Sequence, residues 1–166
     1  MRILGIDPGY ERLGIAILEK NKNESKERVI FSECFKTSVK LDFSDRLNLI
    51  GQEAKKVIKK FKPEVLAIET LFLNTNQKTV MRVAEARGVT IYEATLAGLD
   101  IFDATPLQIK MATTGYGRAS KEQVMKMVNI LIETNKNKIY SPERRTSDDE
   151  LDAIAIALTA FAYRRG

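Results

Sequence analysis

Apolar positions come in short, closely spaced runs over the first forty residues and at helical intervals afterwards. Residues 2–7, Arg-Ile-Leu-Gly-Ile-Asp, form a run of strand length that closes on an acid. Over 13–19, Leu13, Ile15 and Ile17 share one face of a second strand, and the tight Pro8-Gly9-Tyr10-Glu11 connection predicts a hairpin. A lysine-rich turn over 21–27 leads to a third strand at about 28–36, so an antiparallel meander of three strands is expected.

After Ser44 the spacing becomes helical. Leu47, Ile50, Ala54, Val57, Ile58 and Phe61 form an apolar stripe, with Lys55, Lys56, Lys59 and Lys60 on the water side. Pro63 ends that helix. Val65-Leu66-Ala67-Ile68 then reads as a fully buried strand closing at Glu69. A long helix is predicted over about 76–96, carrying Val80, Val83, Ala84, Gly88 and Ile91, with small residues suited to close packing. A short strand at 99–103 precedes a helical turn near Pro106 and a basic loop, Gly115-Tyr116-Gly117-Arg118. Ser120-x-x-Gln123 and Ser147-x-x-Glu150 are capping boxes that open two further helices, the second running to about Arg164. Between them, 135–145 is basic and loop-like. With no linker or repeat, residues 1–166 are expected to form one α/β domain around a mixed five-stranded sheet flanked by helices.

Composition narrows the chemistry. The 166 residues include no histidine and one cysteine, Cys34, which removes histidine-based nucleophile systems, cysteine zinc cages and internal disulfides. Catalysis must then use carboxylates, lysine, tyrosine, hydroxyls or a bound ion, and carboxylates suit Mg²⁺ or Mn²⁺. Lys and Arg outnumber Asp and Glu 27 to 22, which favours a polyanionic partner only weakly. No run reaches the roughly 18 apolar residues of a membrane span, and the acid at position 7 does not suit a signal peptide. No membrane contact and a cytoplasmic location are expected.

Four acids stand out. Asp7 and Glu69 end apolar strands, and Asp149 and Asp152 lie three apart on the last helix, on one face. If the first and fourth strands are neighbours, their backbones lie only about 4.8 Å apart, and acids at matching heights could share an ion. Like charges held together call for a cation. Each acid also has a local explanation. Asp7 before Pro-Gly suits a turn, Glu69 a strand end, and Asp148, Asp149 and Glu150 the positive end of a helix dipole. Asp152 is the hardest to explain locally, since Leu151, Ala153, Ile154, Ala155 and Ile156 surround it.

The stretches Ile-Leu-Gly-Ile-Asp-Pro-Gly at the start, Ala67-Ile68-Glu69-Thr70-Leu71-Phe72, Glu85-Ala86-Arg87-Gly88-Val89 and Asp149-Glu150-Leu151-Asp152-Ala153-Ile154-Ala155-Ile156-Ala157 occur in an order and spacing that resemble the RuvC family of Holliday-junction resolvases. The resemblance implies a ribonuclease-H-like fold and a homodimer in which each subunit cuts one of two like-polarity strands of four-way junction DNA. It implies Asp7, Glu69, Asp149 and Asp152 as catalytic ligands of Mg²⁺; two-metal hydrolysis is then expected, with two ions per subunit, Asp7 bridging them and Mn²⁺ as a substitute. It places Phe72 on an unpaired base, Lys110 and Lys121 near the scissile phosphate, the 85–88 helix at the dimer contact, and a branch-migration motor complex among candidate partners. Arg118, on the basic loop, joins the expected DNA-binding residues. Some family members carry histidine where this chain has Asp149, and Asp148 is a rival for the same role.

Three other readings compete. A nuclease of linear DNA or RNA–DNA hybrids would share the fold, and a junction-binding scaffold would keep it without catalysis. Gly-Ile-Asp-Pro-Gly with Gly14 also resembles the first phosphate loop of actin- and sugar-kinase-type ATPases, but the second glycine-rich motif of such proteins is missing.

Overall fold

The fold is described from a computed structural model, over residues 1–71, 77–133 and 146–164. Phe72 and the 135–145 span lie outside the described residues. Five strands, β1 (Arg2–Asp7), β2 (Arg12–Glu19), β3 (Arg28–Lys36), β4 (Val65–Glu69) and β5 (Asp100–Ala104), form one sheet in the order β3-β2-β1-β4-β5. The first three pair antiparallel, and β4 and β5 add in parallel. This is the expected mixed sheet.

Helices cover both faces. Strand side chains alternate with period two, so Leu4, Ile6, Leu13, Ile15, Ile17, Leu66 and Ile68 point to one face, under α1 (Phe43–Phe61) and α2 (Gln77–Leu96). Ile3, Ala16, Leu18, Val65 and Ala67 point to the other, under α3 (Pro106–Thr114), α4 (Lys121–Glu133) and α5 (Asp148–Tyr163). Asp7 continues the Ile3–Gly5 row and Glu69 the Val65–Ala67 row. Both acids therefore end on the α5 face.

The α1 stripe packs as its spacing predicts, with Ile50, Ala54, Val57 and Ile58 buried. Lys62 closes the helix in the left-handed region (φ 49°), its N–H donating to the Ile58 carbonyl. The end of α2 explains why β5 starts at Asp100 rather than 99. Gly98 adopts φ 77°, and the Leu99 N–H turns back to the Ala94 carbonyl at 3.0 Å, so Leu99 caps the helix. On α2 itself the buried face is Ala86, Thr90 and Ala94, whereas Ala84 and Gly88 are exposed. The small residues expected to pack closely therefore face outward.

The expected turn near Pro106 is a nine-residue helix. Thr105 and Gln108 form a reciprocal capping box, and Gly115 (φ 71°) stops it. Only Ile109 and Thr113 are buried along it, while Leu107 and Met111 are exposed, so its hydrophobic period is too weak to announce a helix. Both predicted capping boxes are present: Ser120 with Gln123, and Ser147 with Glu150. No helix among the described residues is long and apolar enough to cross a membrane.

Helix α5 lies directly against β1 and β2 because two glycines make room. A Cβ on Gly5 would land on the Ala153 carbonyl oxygen and 2.9 Å from the Ala157 Cβ. One on Gly14 would land on the Asp149 carbonyl oxygen and 3.1 Å from the Asp7 Cβ. Gly14 is thus occupied by helix packing, which explains the glycine without a phosphate loop.

Candidate active site

The β1–β4 register pairs Ile6 with Ile68, so Asp7 and Glu69 follow on adjacent strands at the same height. Asp152, one turn into α5, faces them. These three acids line one cavity of about 330 Å³, together with Pro106, Ile109 and Lys110 of α3, Lys121 and Val124 of α4, and Ile156. The apolar wall explains the acids' proton affinities. Burial, then repulsion from Asp152, Glu69 and Asp149, pushes Asp7 up to about 7, with Lys121 pulling it back in part. Glu69 is raised by burial and by Asp152. Asp152 is raised by burial although Lys121 opposes the shift.

Two cations answer this crowding. The Lys121 ammonium donates to Asp152 Oδ2 at 2.8 Å, and this pairing raises the lysine's own proton affinity. Asp149 turns to Arg12 of β2, whose Nε donates to Oδ2 at 2.8 Å while Nη2 donates to the same oxygen. The Cys34 thiol donates to that oxygen as well, at 3.4 Å. Burial alone would raise Asp149, but these donors hold it below the ordinary carboxylate range. Asp149 lines a second cavity of about 520 Å³ with Arg12, Ser147 and Asp148, and Lys121 borders both cavities. Of the rival acids, Asp149 acts on Asp7 by charge, whereas Asp148 is exposed. Glu150 turns the other way, buried and accepting from the Ser32 hydroxyl at 2.6 Å.

The donor set fits a hard divalent ion: carboxylate oxygens only, crowded enough that two keep raised proton affinities beside Asp7. Among the described residues no three such side chains stand close enough to hold an ion as they lie. As they lie, Asp152 pairs with Lys121 and Asp149 with Arg12.

Of the residues singled out from sequence, Asp7, Glu69, Asp152, Lys110 and Lys121 meet in one cleft, and Asp149 stands at its border. Arg118 is exposed on the loop before α4 and lines neither cavity. Sequence reasoning missed Arg12, Cys34 and Arg87. Arg87 holds the site's floor: its Nε donates to the Glu69 carbonyl at 3.0 Å and its Nη2 to Asp103, joining the ends of β4 and β5. The segment Glu85-Ala86-Arg87-Gly88 carries the arginine, but the family resemblance points only to a dimer contact there.

The RuvC family model, crossover junction endodeoxyribonuclease RuvC, matches residues 3–160. The chain belongs to the RuvC family. It is 44% identical over 158 residues to the crossover junction endodeoxyribonuclease RuvC of Halothermothrix orenii, covering 95% of this chain and 90% of that one. Thermus thermophilus RuvC, solved in complex with Holliday junction substrate, superposes with a TM-score of 0.86 at 32% identity, covering 99% of this chain and 95% of that one. The yeast mitochondrial Holliday junction resolvase shares the fold at 19% identity, with a TM-score of 0.70 over 95% of this chain and 76% of that one. The architecture is the ribonuclease-H-like fold of RuvC, as the family resemblance implied.

Proposed function

We propose that this protein is a Holliday junction resolvase, an endonuclease that cuts four-way DNA by paired nicks during recombination and repair. The observation that carries the reading is the convergence of Asp7, Glu69 and Asp152 from three separate elements into one lysine-walled cleft, in a chain of the RuvC family. Residues 1–166 act as one nuclease domain in the cytoplasm.

Asp7, Glu69, Asp149 and Asp152 are the catalytic carboxylates and would hold Mg²⁺, two ions per subunit, with Mn²⁺ able to substitute. When bound, such ions supply Lewis-acid stabilisation of the attacked phosphate and of the entering and leaving oxygens. The residues of the chain do the rest. Asp7, central and most strongly repelled by its neighbours, gains most from a cation. Lys121, released from Asp152, is free to donate to a phosphate oxygen at the cleft mouth, and Lys110 stands on the same wall. Ile109, Val124 and Ile156 keep the base of the cleft apolar and strengthen each charge interaction within it. Phe72 and Arg118 complete the proposed DNA contacts.

Incubating the protein with Mg²⁺ and matched four-way, linear and RNA–DNA hybrid substrates tests the reading. Two nicks placed symmetrically across the four-way junction are expected, with the other substrates cut far more slowly. Equal cutting of all three would instead make it a general nuclease of the same fold.

Paired nicks need two sites, and α2 offers the surface for a homodimer. Met81, Ala84, Gly88, Tyr92 and Leu96 recur at helical spacing on its exposed face, with Met81, Tyr92 and Leu96 each more than 60% accessible. Among the described residues, nothing outside the helix's own backbone lies within 4 Å of a Cβ on Gly88, so a partner helix can approach closely there. Tyr92→Arg is expected to shift the protein from dimer to monomer in sedimentation velocity and to abolish paired nicking. An unchanged dimer would remove α2 from the interface. A branch-migration motor complex is a further partner that family membership suggests.

A further inference from the structure

Beside the cleft lies an apolar surface that neither the acids nor the α2 stripe uses. Leu107 and Met111 occupy one face of α3 and are 61% and 44% accessible, and Tyr116 on the following turn is 56% accessible. Gly117 joins them into one patch: a Cβ there would lie 2.7 Å from Leu107 Cδ1 and 3.5 Å from Met111 Sδ. The turn is fixed from within. The Tyr116 N–H donates to Thr114 Oγ1 at 3.1 Å, and its carbonyl accepts from the Ala119 N–H at 3.0 Å. Tyr116 is therefore presented on a set backbone.

The position of the patch says what it meets. At about 100° per residue, Pro106, Ile109 and Lys110 face the cleft, Leu107 and Met111 face aside, and Lys110 falls between the two. Residues 104–121 contain three cations, Lys110, Arg118 and Lys121, and no acid. Exposed aromatic and thioether groups on a segment whose charged residues are all cations, two of them lining the cleft, suit a nucleic-acid strand whose bases are free to stack.

We propose that Leu107, Met111 and Tyr116 form a stacking platform for an unpaired nucleobase flanking the scissile phosphate, with Tyr116 as its principal contact. The inference rests on the resolvase reading and adds to it a base-contacting surface outside the acid cleft. Phosphates on Lys110 and Lys121 would set the strand's path, and the platform would take a base exposed where the arms of the junction part.

The test uses the full chain and a four-way junction carrying 2-aminopurine, in turn, at each nucleotide flanking the mapped nick. Binding is measured in Ca²⁺ to prevent turnover. Wild type and Tyr116→Phe are expected to change the fluorescence at one such nucleotide. Tyr116→Ala should lose that signal and bind at least about 5-fold more weakly, the lower end of what one base stack contributes. Met111→Glu, also at an exposed position, should weaken binding in the same way. The salt dependence of binding should be unchanged in Tyr116→Ala but shallower by about one ion in Lys110→Ala, because only the lysine neutralises a phosphate. If Tyr116→Ala and Met111→Glu keep wild-type affinity and signal while wild type still nicks the junction, the platform is refuted and the resolvase reading stands. Wild-type protein that neither binds nor nicks the junction overturns both.

Discussion

Asp7→Asn protein is expected to cut four-way junctions more than about a thousandfold more slowly than wild type, to bind them as tightly, and to melt at a higher temperature. The first effect follows if Asp7 is the central ligand, because stabilisation of transition-state charge by a bound metal amounts to several kcal/mol. The second follows because the proposed DNA contacts, Lys110, Lys121 and Arg118, are untouched. The third has its own physical cause. Asp7 rises from 3.8 to about 7 in the fold, so between those values the folded chain holds a proton that the unfolded chain has lost. Stability therefore falls as pH rises through this window, by as much as about 4 kcal/mol from Asp7 by proton linkage, and the loss is complete above pH 7. Glu69 and Asp152 shift in the same direction and add to it. Thermal melts in a chelator should therefore show wild type weakening from pH 5 to pH 8 and Asp7→Asn weakening much less. Wild-type cleavage rates in Asp7→Asn would remove Asp7 from the site.

The second large effect should come from a residue with no chemistry of its own. Gly14→Ala puts a methyl group where the Asp149 carbonyl oxygen now lies, beside the Asp7 Cβ. Helix α5 must move away from the sheet, and overpacking of this kind costs about 1–3 kcal/mol. That predicts a melting temperature lower by roughly 3–10 °C. The displacement also carries Asp149 and Asp152 away from Asp7, and misplacement of catalytic groups by about 1 Å reduces rates by roughly a hundredfold. Cleavage measured well below the melting temperature should show this loss while the circular dichroism remains native. A Gly14→Ala protein with full activity would mean that α5 does not set the spacing of the acids.

Much of this arrangement was legible in the chain. Short continuous apolar runs over 2–7 and 65–69 assigned Asp7 and Glu69 to strand ends, and the β1–β4 pairing puts them side by side. The three-residue step from Asp149 to Asp152 put both on the side of α5 toward the acids, with Asp152 in the cleft and Asp149 at its border. The choice between Asp148 and Asp149 was not legible, since both stand in the first turn of α5. What sets the two apart is Arg12 and Cys34, which approach Asp149 from 137 and 115 residues away in sequence. Arg87 was hidden for the same reason, because its partners Glu69 and Asp103 belong to strands on either side of α2. Helix α3 was legible only as a turn near Pro106, because half of its apolar residues face outward. Gly5 and Gly14 lie within predicted strands, and only the approach of α5 shows what their missing side chains allow.

Direct binding of a divalent ion tests the central claim most closely. In calorimetric titration of Mn²⁺ into DNA-free protein at pH 8, wild type is expected to bind with measurable heat. Glu69→Gln and Asp152→Asn should each weaken that binding at least about tenfold, as loss of one charged ligand oxygen implies. Wild type that takes up no ion, or variants that bind it as well as wild type, would show that these acids do not form a shared metal site.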